Sequence, residues 1–393
     1  MPHSSTITLL DESKAAYHLL AYCARAECNG AQYQQLAQKA SELNDWAKIP
    51  TQAEAHGLAP LLYLHLQAAG VELPLPVKRE LQGLYLRHRR ANQVRTRVLS
   101  DIISAYQAAG IQVLVLKGAA LAQLIYPQPG LRPMRDLDIL VKKSDAIRAQ
   151  RLLAELGFHA PLPENGVLPN KHLASASLRT EGFLTSVEVH HNLFDESFPA
   201  SMEIEDLTVS PLSFSLPQSN LTAYTLGYED MLWHLCQHMT WNASVFRPTR
   251  LIWIADIVTF AEHFVHEIDW PRLQAHYPLV LNVLSLIHFM TPLSEALLNQ
   301  APIKIGQAPQ GIGVHFQGWP SSSIASQKEK GYRRILHDTF FPSEWWLRLH
   351  YGVDTTRPLL WYRWVRHPFD ILGWTVQLLR ERLEQRLSKH PWG

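Results

Sequence analysis

At 393 residues, 47% apolar and 18% charged, the chain has an ordinary globular composition, and its length suits two or three domains. A net charge of +1 excludes a whole-molecule field that gathers nucleic acid, so a polynucleotide would need a local patch. Three cysteines (Cys23, Cys28 and Cys236) without a CxxC pair exclude a disulfide framework and a cysteine zinc site.

The opening MPHSSTITLLDESK has neither the charged nor the apolar region of a signal peptide. The longest apolar stretch, Leu279 to Leu293, is broken by Asn282, Ser285, His288 and Pro292, too short and polar for a transmembrane segment. These features predict a cytoplasmic protein.

Residues 1–100 read as helices. Leu9 to Cys23 and Tyr33 to Leu43 have helical apolar spacing, and Thr51 to Ala69 predicts one helix ending at Gly70. The longest helix is expected from Pro76 to Ala109, stopped by Gly110. It carries Arg87, Arg89, Arg90, Arg95 and Arg97, which suit either a phosphate contact or a solvated face laced with ion pairs.

The stretch Ile111 to Val141, IQVLVLKGAALAQLIYPQPGLRPMRDLDILV, organises the chain. Val113 to Leu116 reads as a buried strand, Lys117 and Gly118 as a turn, and Ala119 to Tyr126 as a helix. After a Pro/Gly turn a second strand starts near Asp136. Side chains two apart share a face, so Asp136 and Asp138 point one way, toward solvent, while Leu137, Ile139 and Val141 point into a core. A glycine turn before a helix start suits a phosphate, and paired carboxylates suit Mg²⁺. Together they describe phosphoryl or nucleotidyl transfer.

This arrangement resembles the nucleotidyltransferase superfamily of DNA polymerase β, with its glycine turn followed by Asp-x-Asp. More closely, KG-A-L followed by R-P-M-x-D-L-D-I-L-V resembles a little-characterised bacterial nucleotidyltransferase family. The resemblance implies Asp136 and Asp138 as metal ligands and catalytic residues. It places Lys117, Gly118 and Ala119 against the triphosphate of an NTP, with Arg132 available to neutralise it. Ala119 departs from the hydroxyl residue that many members carry there.

Ser144 to Leu156 predicts an amphipathic helix with Ser144 as N-cap. Lys171 to Arg179 and Phe183 to His191 predict strands joined in a hairpin at Glu181 and Gly182, with Glu188 and His190 on one face. The superfamily sets a third carboxylate on a later strand, and VEVHHNL resembles that position, which makes Glu188 the third catalytic and metal residue. From Leu221 the chain is expected to be helical again.

His234 and His238 have the spacing of a zinc pair but lack the glutamate of HExxH, which favours packing or a phosphate contact. RLIWIAD resembles the family further, with Arg250 and Asp256 as a structural ion pair. The C-terminal stretch combines Trp345, Trp346, Trp361, Trp364 and Trp374 with several arginines, a pattern that packs terminal helices, grips a partner or lies on a membrane.

The fold expected is therefore α+β: a small mixed-sheet nucleotidyltransferase core over 101–220, between helical regions 1–100 and 221–393. The expected activity moves an NMP group from an NTP to an acceptor (small molecule, protein or RNA) with Mg²⁺ and release of pyrophosphate. The alternative is a nucleotide- or partner-binding protein that has lost turnover.

Overall fold

The computed structural model describes residues 14–163, 166–195, 201–217, 219, 221–321 and 331–388; the expected helical spacing before residue 14 lies outside them. Two compact units emerge. One holds the chain up to Gln237 together with Arg250–Val280 and Met290–Pro302, and the other holds His238–Thr249, Leu281–Phe289 and the chain from Ile303.

The first unit opens with α1 (Lys14–Tyr22), α2 (Gly30–Ser41), α3 (Ile49–His56) and α4 (Ala59–Ala68). The single helix expected over Thr51 to Ala69 is thus two. Gly57 takes a left-handed φ of 75° that ends α3, and Pro60 sits in the first turn of α4. The long α5 (Leu75–Ala108) then leads into the sheet.

Strand β1 (Val113–Val115) is followed by α6 (Lys117–Leu124), β2 (Asp136–Val141), α7 (Ala146–Glu155), β3 (Ala176–Thr180) and β4 (Phe183–His190). The sheet order is β1-β2-β4-β3, with β2 and β4 parallel and the outer pairs antiparallel. The β3–β4 turn has φ of 50° at Glu181 and 81° at Gly182, both positive as a tight hairpin turn requires. α7 starts after a 3₁₀ turn at Lys143–Asp145, and its N-cap position is Asp145 rather than Ser144.

A second hairpin, β5 (Leu212–Leu216) and β6 (Leu221–Thr225), closes the core region and puts a strand at Leu221, where the helical region was expected to begin. Its sequence LTAYT alternates, and Ala223 joins the core while its neighbours face out. Thr225 Oγ1 donates a 2.5 Å hydrogen bond to the Val115 carbonyl, which pins this hairpin beside β1.

The core buries Leu137, Ile139 and Val141 of β2 and Val187 and Val189 of β4 against Ile102, Ile103 and Tyr106 of α5. Helices α8 (Tyr228–Ser244), α9 (Leu251–His263), α10 (Trp270–His276), α11 (Pro278–Ile287) and α12 (Glu295–Gln300) follow. In the second unit, α13 (Tyr332–Phe340), α14 (Glu344–Tyr351), a π-helical turn (Tyr362–Arg366) and α15 (His367–Ser388) complete the chain.

Candidate active site

Register places the acidic residues. In the parallel pairing of β2 with β4, Asp138 stands directly opposite Glu188, Asp136 opposite Ser186 and Leu140 opposite His190. Neighbouring strands are about 4.8 Å apart, so Asp138 and Glu188 project side by side from one face, with Asp136 and His190 on that same face. The opposite face of both strands is core, which leaves the register no freedom to slip.

The Leu116 N–H donates a 2.8 Å hydrogen bond to the Asp138 carbonyl, tying the end of β1 to the centre of β2. The next residue, Lys117, turns the chain into α6 with a left-handed φ of 45°, a strained conformation for a residue with a side chain. That turn aims its ammonium at Asp138 Oδ2, 3.1 Å away. Burial works against the Lys117 charge, but Asp138 and Asp136 override it and raise the pKa.

Asp138 is buried, contrary to the expectation that both carboxylates of the pair face solvent. Desolvation opposes its charge, yet Lys117 and a hydrogen bond from His190 hold its carboxyl well below the usual range. His190 Nε2 lies 3.2 Å from Asp138 Oδ1 and 3.5 Å from Glu188 Oε2. Burial would lower the His190 pKa, but these two carboxylates raise it. Glu188 is lowered chiefly by the His190 hydrogen bond and also receives the Ser175 hydroxyl at 3.1 Å. Asp136, exposed at the start of the strand, is raised by partial desolvation and by the charge of Asp138 beside it.

Three carboxylates therefore share one face, with Lys117 and His190 adjacent to them. One ligand atom each from Asp138, Glu188 and His190 lie within 4.8 Å of one another, a spacing that fits a single metal ion. A divalent cation would find in the carboxylates of this group the oxygen donors that suit it.

Arg132 is committed elsewhere. Its guanidinium grips Asp256 of α9, Nη2 lying 2.6 Å from Oδ2 and Nε 3.0 Å from Oδ1, and Tyr126 adds a 2.8 Å hydrogen bond to the same carboxylate. Asp256 thus pairs with Arg132, not with Arg250 as expected; Arg250 donates to the Ala55 carbonyl instead. The Arg132 guanidinium also lies over Gly118, where a Cβ would come within 2.6 Å of Nη1. Glycine is required there by close approach, not by backbone conformation.

The arginines of α5 separate by direction. Arg87 pairs with Glu54, and Arg90 and Arg97 clasp Glu181 at the β3–β4 turn. Arg95 turns inward: it donates to the Leu184 carbonyl at 3.2 Å, its Nε has no hydrogen-bond partner among the described residues, and Asp136 is its favourable charge. Arg250 is pushed down to about 10 by burial and by the nearby Arg135 and Arg132. Asp136 is a favourable charge on both Arg95 and Arg250.

The sequence model of the uncharacterised nucleotidyltransferase family matches residues 42–299, well over half of the chain. The chain belongs to that family. This makes it a nucleotidyltransferase, and the matched span holds β1 to β4, α6 and α9. No curated protein matches it. Among solved structures, the antibiotic-resistance factor ANT(2'')-Ia is similar at 14% identity, covering 48% of this chain and 92% of that one with a TM-score of 0.32. An antigenic nucleotidyltransferase-like protein from Paracoccidioides brasiliensis is similar at 16% identity, covering 52% of this chain and 96% of that one, again with a TM-score of 0.32.

In this nucleotidyltransferase, Asp136, Asp138, Glu188 and Lys117 lie on one cluster, with Gly118 and Ala119 at the start of the adjoining helix. His190 is the member that sequence reasoning did not single out. Its signal was present: E-x-H on β4 has the two-residue period of D-x-D on β2. The inward turn of Arg95 had no comparable signal, since the arginines around it read alike. His234 is buried against Phe194 with neither ring nitrogen hydrogen-bonded among the described residues, and burial, with Lys117 nearby, holds its pKa well below the ordinary value. Among the described residues, the group spaced to hold one metal ion contains His190 and not His234 or His238.

Proposed function

We propose that this protein transfers a nucleoside monophosphate from an NTP to an acceptor hydroxyl or phosphate, with release of pyrophosphate. The observation that carries this reading is the in-register opposition of Asp138 and Glu188, with Asp136 on the same face and the start of α6 alongside. In this reading Asp136, Asp138 and Glu188 hold Mg²⁺, which when bound supplies charge neutralisation at the α-phosphate.

The chain's own groups do the rest. The N–H groups of Gly118 and Ala119 receive phosphate oxygens at the helix start, where backbone donors and the helix dipole favour an anion. Lys117 moves its charge between Asp138 and the triphosphate, and Arg95, Arg135 and Arg250 neutralise its outer end. Arg132 acts through position, holding the Pro/Gly loop to α9 and fixing the floor of the turn at Gly118. Glu188 accepts the hydrogen bond of the attacking hydroxyl, and His190 keeps the buried Asp138 and the half-buried Glu188 in one geometry. The acceptor hydroxyl yields its proton through Glu188 to solvent as a bond forms between its oxygen and the α-phosphorus, the bond from that phosphorus to the α–β bridging oxygen breaks, and pyrophosphate leaves.

A second reading is binding without turnover. It is favoured by the Lys117–Asp138 ion pair, which engages a carboxylate oxygen that a metal would need, and by the absence of a hydroxyl at Ala119. Incubation with α- and γ-labelled NTPs distinguishes the cases. Transfer of the α label supports nucleotidyl transfer, transfer of the γ label supports a kinase-like reaction, and retention of intact NTP supports binding alone. A mass shift on candidate acceptors then identifies the acceptor class. Glu188→Gln keeps shape and removes charge, so turnover falls about 10²–10⁴-fold. The cysteines are free thiols, in keeping with a reducing compartment such as the cytoplasm.

A further inference from the structure

The tryptophans of the C-terminal stretch divide into two groups. Trp345 and Trp346 are fully buried, whereas Trp361 and Trp364 are 56% and 59% exposed. The exposed pair opens an apolar face that continues through Val365, Phe369, Leu372 and Val376, in steps of three and four residues that keep one side of a helix. Phe369 and Leu372 are 67% and 62% exposed. The Trp364 ring lies 5.8 Å from the Phe341 ring, which joins this face to the exposed Tyr332, Leu336 and Phe340 of α13. Single exposed apolar residues are ordinary, but a continuous face across two helices marks an interaction surface.

Charge indicates what covers it. Residues 332–341 and 354–388 contain eight arginines against three aspartates and two glutamates, in a chain whose net charge is only +1. Arg334, Arg357 and Arg366 are paired with Asp338, Asp354 and Asp370, while Arg333, Arg363 and Arg380 form no ion pair among the described residues. A second copy laid on this face would meet an arginine without an acidic partner among the described residues, because Arg380 borders the apolar seam. Pro368 and Gly373 also interrupt it as a helix-pairing surface. An anionic lipid surface matches both features. Tryptophan settles at the headgroup level, phenylalanine and leucine enter the acyl boundary, and arginine meets lipid phosphate. No described helix is long and apolar enough to cross a membrane, so the contact is in the plane of the surface.

We propose that the exposed face of α13, the π-helical turn and α15 docks this protein onto anionic phospholipid bilayers. The full chain is sedimented with vesicles of phosphatidylcholine alone and of phosphatidylcholine mixed with phosphatidylglycerol. It pellets with the anionic vesicles and not with the neutral ones, and added salt releases it. Trp361→Ser with Trp364→Ser abolishes pelleting. Arg363→Gln with Arg380→Gln weakens it by about fivefold per arginine, roughly 25- to 30-fold together. Both pairs are solvent-facing or unpaired, so circular dichroism stays parental; if the tryptophan variant misfolds, Phe369→Ser makes the same test. No pelleting with anionic vesicles at low salt, or equal pelleting with neutral ones, overturns the proposal. A dimer in light scattering that the tryptophan variant splits, without vesicle binding, overturns it in favour of a second copy.

Discussion

The Lys117 ammonium lies 3.1 Å from Asp138 Oδ2, held there by a backbone bent to a φ of 45°. A strained left-handed lysine costs about 1–3 kcal/mol and its burial costs more, so Asp138 is the group that keeps it in place. On the acidic face Asp138 is thus tied to Lys117 and His190 and Glu188 to His190, while Asp136 is raised by desolvation and by the charge of Asp138.

These two aspartates are expected to separate under mutation. Asp138→Asn leaves Lys117 and His190 buried without their carboxylate, a loss of about 3–5 kcal/mol when a buried pair is broken from one side. Asp136→Asn removes the repelled charge and leaves Tm unchanged or raised. Both variants lose label transfer. Thermal unfolding with activity on the same preparations checks this, and equal Tm values for the two would show that the ion network is not formed.

Gly118 and Arg132 are predicted to be coupled. In Gly118→Ala the new methyl group meets a guanidinium that Asp256 holds from two sides, so something must shift. Overpacking of this kind costs about 1–3 kcal/mol. In an Asp256→Asn background Arg132 can move, and the added cost of Gly118→Ala should shrink. A double-mutant cycle on unfolding free energy measures the difference, and strict additivity would mean that the two do not touch.

Removing Arg135 or Arg250 should weaken NTP binding about ten- to a hundredfold, the usual worth of a charge-assisted contact. Arg90→Ala serves as the control: its guanidinium is engaged by Glu181 at the hairpin turn, so calorimetry should give the parental affinity.

Stability should fall on mild acidification, and His350 should carry part of the loss. Burial, with His367 and Arg366 nearby, pushes its pKa down to about 3, so it stays neutral in the fold while the unfolded chain protonates near 6.5. Its contribution is present above 6.5 and fades as pH drops toward 3. Between pH 6.5 and 5 this amounts to about 1–2 kcal/mol. Asp138, depressed below its ordinary value, remains ionised across that window and does not contribute. His190, raised, works in the opposite sense: its stabilisation is full below 6.5 and lost as pH rises through its folded pKa. His350→Phe keeps the stacking on Trp346 at 4.5 Å and should flatten the acid limb in urea unfolding at pH 7 and pH 5.

Much of the site was legible from residue order because strand periodicity is local. The alternation that faces Asp136 and Asp138 one way and Leu137, Ile139 and Val141 the other needs only the two-residue period and a core to bury against. The same holds for the Glu181-Gly182 hairpin, and for the strand-to-helix turn at Lys117 and Gly118. Where local signals were weak, the reading slipped: the five-residue strand Leu221–Thr225 is too short for its alternation to prevail over the helix that follows.

What remained belonged to distances across the chain. Whether Asp138 is buried depends on Lys117 and His190, brought to it by the β1 and β4 pairings rather than by neighbours in sequence. The partner of Asp256 was decided between two arginines, Arg132 and Arg250, by which one the Pro/Gly loop carries against α9. Arg95 and Arg97 are two residues apart on one helix, yet one turns toward Asp136 and the other to Glu181. A residue's type sets its charge and reach; which opposite charge lies within that reach is settled only when the elements pack, because Coulomb attraction acts on separation in space.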